Sequence, residues 1–165
     1  MKKSLFYPLF ILLTAALDIL TKFLIVDKLQ PGAPVNILGD VLKFHLVYNK
    51  GLVFGTSVGS TPPIVIVLVK SILIAFVVYI YLQIPRNFIK KGHTFTQIAL
   101  LFIFSGFIGN AFDRLYHGAV VDFIDIGIGN VRWYIFNLAD VYVVTGGLMV
   151  LLALYLYGNE KQKDN

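Results

Sequence analysis

The chain has 165 residues, of which 58% are hydrophobic and only 14% charged, with a formal net charge of +5. Soluble domains carry about 25% charged residues, and the mean hydropathy of +0.79 points the same way. A water-soluble globule, a disordered tail and a fibrous repeat are therefore excluded. With no cysteine, disulfides, thiolate metal sites and a cysteine nucleophile are excluded as well.

Four apolar stretches reach the roughly 20 residues a helix needs to cross a bilayer. The first, residues 5–26, is interrupted only by Asp18 and Lys22. Lys2 and Lys3 ahead of it imitate a secretory signal. However, Asp18 and Lys22 occupy the place where small residues should mark cleavage, so the stretch reads as a retained span. The second, residues 64–84, is bracketed by Pro62-Pro63 and Pro85, which mark helix limits. Residues 95–112 and 138–157 complete the set. The expectation is a single integral membrane domain over 1–165, an all-α protein with four transmembrane helices and a small β-rich extracytoplasmic element.

Basic residues orient it. Lys2, Lys3, Arg86, Lys90, Lys91, Lys161 and Lys163, half of the fourteen, fall in three short segments on one side. Positive residues stay inside, so both termini are read as cytoplasmic and loops 27–61 and 113–137 as outer. This use of the positive charge leaves no case for nucleic acid. Seven of the nine acids, Asp18, Asp27, Asp40, Asp113, Asp122, Asp125 and Asp140, then lie in the outer loops or at the outer ends of spans.

In the first outer loop, Val35–Leu38 and Val41–Tyr48 have strand composition. Asn49-Lys50-Gly51 reads as a turn, and Leu52–Phe54 as a returning strand. In the second, a turn is expected at Gly127–Asn130. Asn110 and Asp113, like Asn137 and Asp140, are three apart and share a helix face. Asn137 suits a helix N-cap with Asp140 in the first turn. Asp113 beside Arg114 has the look of a surface ion pair, and Asp18 with Lys22, at i and i+4, could neutralise each other. His45, His93 and His117 lack ligand spacing, so no metal is expected, and Lys70 receives no role. Ionisable groups beside a span usually mark function. Two close carboxylates separate their proton affinities, so one can activate water while the other, protonated, polarises a carbonyl. No Ser–His or Cys–His arrangement suggests a covalent route.

These segments resemble a known family, lipoprotein signal peptidase, the type II bacterial signal peptidase. Its first box is similar to Asp18-Ile-Leu-Thr-Lys22, its second to Asn49-Lys-Gly-Leu-Val-Phe-Gly55. The third, Gly-Asn-x-x-Asp-Arg-x-x-x-Gly-x-Val-x-Asp-Phe, is met from Gly109 to Phe123, and the fourth, Phe-Asn-x-Ala-Asp, from Phe136 to Asp140. The boxes stand in family order. Ser105 and Phe107, and the pair Leu52-Val53, depart mildly from the usual small residues.

The resemblance implies an aspartic endopeptidase of the bacterial cytoplasmic membrane, working at the outer face without metal or organic cofactor. Its catalytic aspartates map onto Asp122 and Asp140. Asn49, Gly51, Asn110, Arg114 and Asn137 bind substrate or hold the aspartates; Asp18, Lys22 and Asp113 are structural supports. The implied partners are membrane lipid and a prolipoprotein with a diacylglyceryl cysteine, cleaved just before that cysteine. The first loop, through Phe44, Tyr48 and Phe54, is expected to cover the peptide. A proton-coupled transporter using Asp18 and Lys70, and a non-enzymatic assembly factor, are the rival readings; oligomeric state is left open.

Overall fold

The computed structural model describes residues 3–51 and 93–158, with nine residues between 64 and 79 that are all helical. The rest of the expected 64–84 span, Lys70 and the expected strand Leu52–Phe54 lie outside the described residues. Three long helices are seen: α1 (Lys3–Lys28), α2 (His93–His117) and α3 (Leu138–Gly158). Within α1 and α2, Leu5–Lys28 and Thr94–His117 are long and apolar enough to cross a membrane, and the apolar run Leu138–Ala153 of α3 is shorter.

The burial pattern suits a lipid surround. Leu12, Leu13 and Phe23 of α1 are 60–68% exposed, whereas Asp18, Lys22, Ser105, Asn110, Asp113 and Arg114 are buried. Such groups are tolerated at membrane depth only when they face the protein interior and pair there. Close helix packing makes that interior. On Gly106 a Cβ would come within 2.2 Å of the Ala139 carbonyl oxygen, and on Gly146 within 2.5 Å of that of Ala99. Small residues let the α2 and α3 backbones touch, as membrane helix pairs commonly do. Between α1 and α2, Thr14 Oγ1 donates to Ser105 Oγ at 2.7 Å and Tyr7 to Gln97 at 2.6 Å. Ser105 therefore belongs to a helix contact.

The β-rich element is larger than expected and draws on both outer loops. Strands β1 (Val35–Leu38), β2 (Leu42–Asn49), β3 (Val120–Ile128) and β4 (Val131–Arg132) form one antiparallel sheet in that order. The loop 113–137 was expected to hold only a turn. Instead α2 continues past Phe112 to His117, and Val120–Ile128 is strand. Hydropathy falls at Asp113, but the helix is ended by Gly118, whose φ of 72° and N–H to the Arg114 carbonyl (3.1 Å) form a glycine C-terminal stop. The expected turn at 127–130 is a tight hairpin about Gly129 (φ 55°) and Asn130.

Leu46, Val121 and Phe123 pack with Ile25 from the end of α1, tying the sheet to the helices. Phe44, expected over the peptide, packs edge-on against Phe123 at 5.7 Å and belongs to this core. Opposite Phe123, β2 carries one extra residue between Phe44 and Val47. Bulges of this kind re-aim side chains beside functional sites, and here Val47 and Asp122 become direct partners.

Candidate active site

Asp122 and Asp140 are brought together by one stretch of backbone. After β4 the chain runs back along β3: Phe136 N–H donates to the Ile124 carbonyl at 3.1 Å, and the Phe136 carbonyl accepts from Phe123 and Ile124 at 3.0 and 2.8 Å. The next residue, Asn137, lies beside Asp122 and opens α3. Its Oδ1 accepts the Asp140 N–H at 3.0 Å, and Asp140 Oδ2 accepts the Asn137 N–H at 3.3 Å, a reciprocal helix cap. The capping expectation holds, and it is half of the residue's work: Asn137 Nδ2 donates to Asp122 Oδ1 at 2.6 Å.

Three asparagines aim their amino groups at the two acids, and in each the oxygen is already committed. Asn137 Oδ1 takes the Asp140 N–H. Asn49 Oδ1 takes the Gly51 N–H at 2.8 Å, leaving Nδ2 for Asp122 Oδ2 at 2.9 Å. Asn110 Oδ1 takes Lys22 Nζ at 3.1 Å, leaving Nδ2 for Asp140 Oδ1 at 2.8 Å. A backbone N–H or an ammonium can only donate, so each amide orientation follows from its partner. Asn49-Lys50-Gly51 is the expected turn, closed by its own side chain. Arg114, buried, props it: one amino group donates to the Gly51 carbonyl at 2.9 Å and the other to the Asn110 carbonyl at 3.4 Å, while Nε has no hydrogen-bond partner.

Beneath the pair is a buried ionic cluster. Lys22 Nζ lies 2.7 Å from Asp18 Oδ2 and 2.8 Å from Asp113 Oδ2. Each of these acids also grips backbone next to a site aspartate. Asp18 Oδ1 accepts the Ala139 N–H at 2.8 Å, and Asp113 Oδ2 accepts the Val121 N–H at 3.0 Å. Asp113 and Arg114 are thus two separate internal anchors, and the surface-pair reading of them is overturned. Gly109 leaves room for this cluster, since a Cβ there would stand 2.3 Å from Asp18 Oδ2. Asp18 is fully engaged, which removes the free intramembrane acid that a transporter needs.

Asp122, 3% exposed, holds its proton up to about pH 7, chiefly because burial disfavours the charged form and secondly because Asp140 adds a like charge. Hydrogen bonds from Asn49 and Asn137 oppose the rise without cancelling it. A cavity of about 490 Å³ opens onto this acid, walled by Val47, Tyr48, Asn49 and Gly51 on one side and by Trp133, Tyr134 and Ile135 on the other. Sequence reading missed the second wall. Its signal was available, because residues immediately before a helix that starts at a site must flank that site. Among the described residues no cluster of three or more His, Asp or Glu side chains is placed to hold a metal ion.

Known proteins carry the same arrangement of chain. The family model described as signal peptidase (SPase) II matches residues 10–156. A protein of Clostridium novyi (strain NT) named lipoprotein signal peptidase is 33% identical over 91% of this chain and 97% of its own. One of the same name from Moorella thermoacetica is 32% identical over 96% and 98%. A bacterial membrane enzyme solved by the in meso method at 2.3 Å resolution superposes with a TM-score of 0.78 at 25% identity, over 96% of this chain and 93% of the other. With a family model spanning nearly the whole chain and relatives above 30% identity along its length, the protein belongs to the signal peptidase II family, membrane-embedded aspartic proteases of bacteria.

Proposed function

We propose that Asp122 and Asp140 are the catalytic pair with which this signal peptidase II removes the signal peptide from prolipoproteins. The family supplies the activity. The observation that carries the residue assignment is the single asparagine, Asn137, that caps Asp140 and donates to Asp122 while burial keeps Asp122 protonated to about pH 7.

A division of labour follows. The charged Asp140 takes a proton from a water molecule, whose oxygen attacks the carbonyl carbon of the scissile peptide bond. Asp122 gives its proton to the developing oxyanion. Collapse of the tetrahedral intermediate breaks the C–N bond, and the proton taken by Asp140 passes to the leaving nitrogen. The products are a signal peptide ending in a carboxylate and a lipoprotein with a free amino group on its first cysteine. Asn49, Asn110 and Asn137 hold the carboxylates at fixed angles, Arg114 and Gly51 hold the Asn49 turn, and Asp18, Lys22 and Asp113 hold the backbone at Ala139 and Val121.

The substrate's cysteine bears diacylglycerol, whose acyl chains stay in the bilayer and keep the scissile bond at its surface. The distribution of Lys and Arg assigns that surface to the outer side of the cytoplasmic membrane, with four spans and both termini cytoplasmic. The test is cleavage of a diacylglyceryl-modified prolipoprotein by enzyme in proteoliposomes. Asp122→Asn and Asp140→Asn should each lower kcat at least about a thousandfold, as losing a member of a concerted pair does, with thermal unfolding unchanged within about 1 kcal/mol. Near wild-type turnover by either variant would refute the pair.

A further inference from the structure

Beyond the active site, the outer half of the sheet has two unlike faces. Side chains alternate along a strand, so Asp122, Ile124, Ile126 and Ile128 share one face of β3. Exposure rises along that face, from buried Asp122 to 42% at Ile126 and 72% at Ile128. Cross-strand partners extend it: Leu42 pairs with Ile126, Leu38 with Leu42, and Val131 with Ile128. Leu38 is 66% and Val131 83% exposed, and Trp133, whose N–H donates to the Ile126 carbonyl at 2.7 Å, is 64% exposed.

The opposite face of the same strands is polar and internally neutralised. Arg132 Nε lies 2.7 Å from Asp125 Oδ1, and Lys43 Nζ lies 2.6 Å from Asp40 Oδ1. Asp40 also accepts the Gly129 N–H, latching the β1–β2 turn to the β3–β4 turn. The two apolar hairpin ends are therefore held as one rigid edge.

We propose that this apolar face is a membrane-docking surface, seated among the lipid headgroups and upper acyl chains of the leaflet into which the nearby ends of α1 and α2 pass. Lipid is the occupant because the face is continuous with a lipid-facing flank. β3 begins after only Gly118 and Ala119 beyond α2, and Leu20 and Phe23 near the sheet end of α1 are 54% and 68% exposed. A large bare apolar patch on a water-facing sheet would be a liability, and amphipathic elements at a bilayer surface sink their apolar side about 5–10 Å. Trp and Tyr favour that depth, and Trp133 and Tyr134 stand at the rim of the face. The docking holds β3, and with it Asp122, at a fixed height over the leaflet. It rests on the reading of the chain as membrane-embedded and is independent of the catalytic pair.

Trp133 is the only tryptophan in the chain, so its emission reports this surface alone. The experiment reconstitutes the full chain in phosphatidylcholine vesicles containing lipids brominated either near the carbonyl end or near the tail of the acyl chain. Trp133 should lose most of its intensity to the carbonyl-end bromines and little to the tail bromines, with a blue-shifted maximum. Ile128→Asp with Val131→Asp, both exposed sites, should remove most of that quenching. A second variant, Trp133→Phe with Leu151→Trp on the exposed side of α3, serves as the internal control and should be quenched by bromolipid. If the control is quenched while Trp133 answers only to aqueous iodide, the docking proposal is overturned and the membrane reading stands. Quenching that depends on protein density, low when crowded and high when dilute, would instead assign the face to a second copy and equally overturn lipid docking.

Discussion

Two pairs of buried aspartates lie against each other in this protein, and they differ in what stands between them. Asp18 and Asp113 share Lys22, at 2.7 and 2.8 Å. Asp122 and Asp140 share Asn137, which offers an amide to one and a backbone N–H to the other. An ammonium compensates charge and fixes position. An amide fixes position and leaves the charge uncompensated, so burial and the neighbouring carboxylate hold a proton on Asp122 to about pH 7. The same residue type thus serves as girder in one pair and as acid in the other, and the choice is made by one intervening side chain.

The comparison breaks most severely at Lys22. Lys22→Met leaves two buried carboxylates without their cation, and breaking such a pair costs about 3–5 kcal/mol. The expected outcome is a large fall in Tm in detergent, with activity lost in step. Adding Asp113→Asn to Lys22→Met removes one uncompensated charge and should recover part of the stability, a coupling that a double-mutant cycle reads directly. Full stability of the single variant would show that Lys22 is not the keystone of the cluster.

Next in size is Gly109→Ala, which inserts a methyl 2.3 Å from Asp18 Oδ2. Overpacking of this kind costs about 1–3 kcal/mol. Because Asp18 also binds the Ala139 N–H beside Asp140, kcat should fall along with Tm. A stable but slow enzyme would locate the strain in the link to Ala139; a stable and fully active one would show that the cluster yields without disturbing the pair.

How far this was readable beforehand differs between the two pairs and their setting. The four boxes name every residue in both, because each side chain must make a specific donor–acceptor match and spacing along a helix preserves it. The i, i+4 relation of Asp18 and Lys22 and the capping role of Asn137 follow from local geometry. Partners far apart in sequence do not. Nothing local tells that Asp113 turns inward to Val121, or that Arg114 reaches the Gly51 carbonyl 63 residues away. Strand β3 escaped for a related reason: Val120–Ile128 alternates as a strand should, yet it pairs with β2, more than seventy positions earlier, and its first residues were absorbed into a motif. Phe44 shows the converse, an aromatic in a presumed cover that the β2 bulge delivers to the core.

The gentlest prediction tests the amide side of the comparison through pH. Asp122 binds its proton more tightly in the folded enzyme than in the unfolded chain, so its contribution to stability is present in acid and is lost as pH rises through about 7. If Asp122 must donate that proton, kcat should fall over the same range. Asn49 donates to Asp122 Oδ2 and favours the charged form. Asn49→Ala should therefore move the alkaline limb of the kcat profile to higher pH while the enzyme stays folded. Asp140→Glu, if it keeps measurable turnover, retains the like charge and should leave a limb above the ordinary carboxylate range. A limb that moves down in Asn49→Ala would mean that Asp122 works as the base, and the roles of the two acids would have to be exchanged.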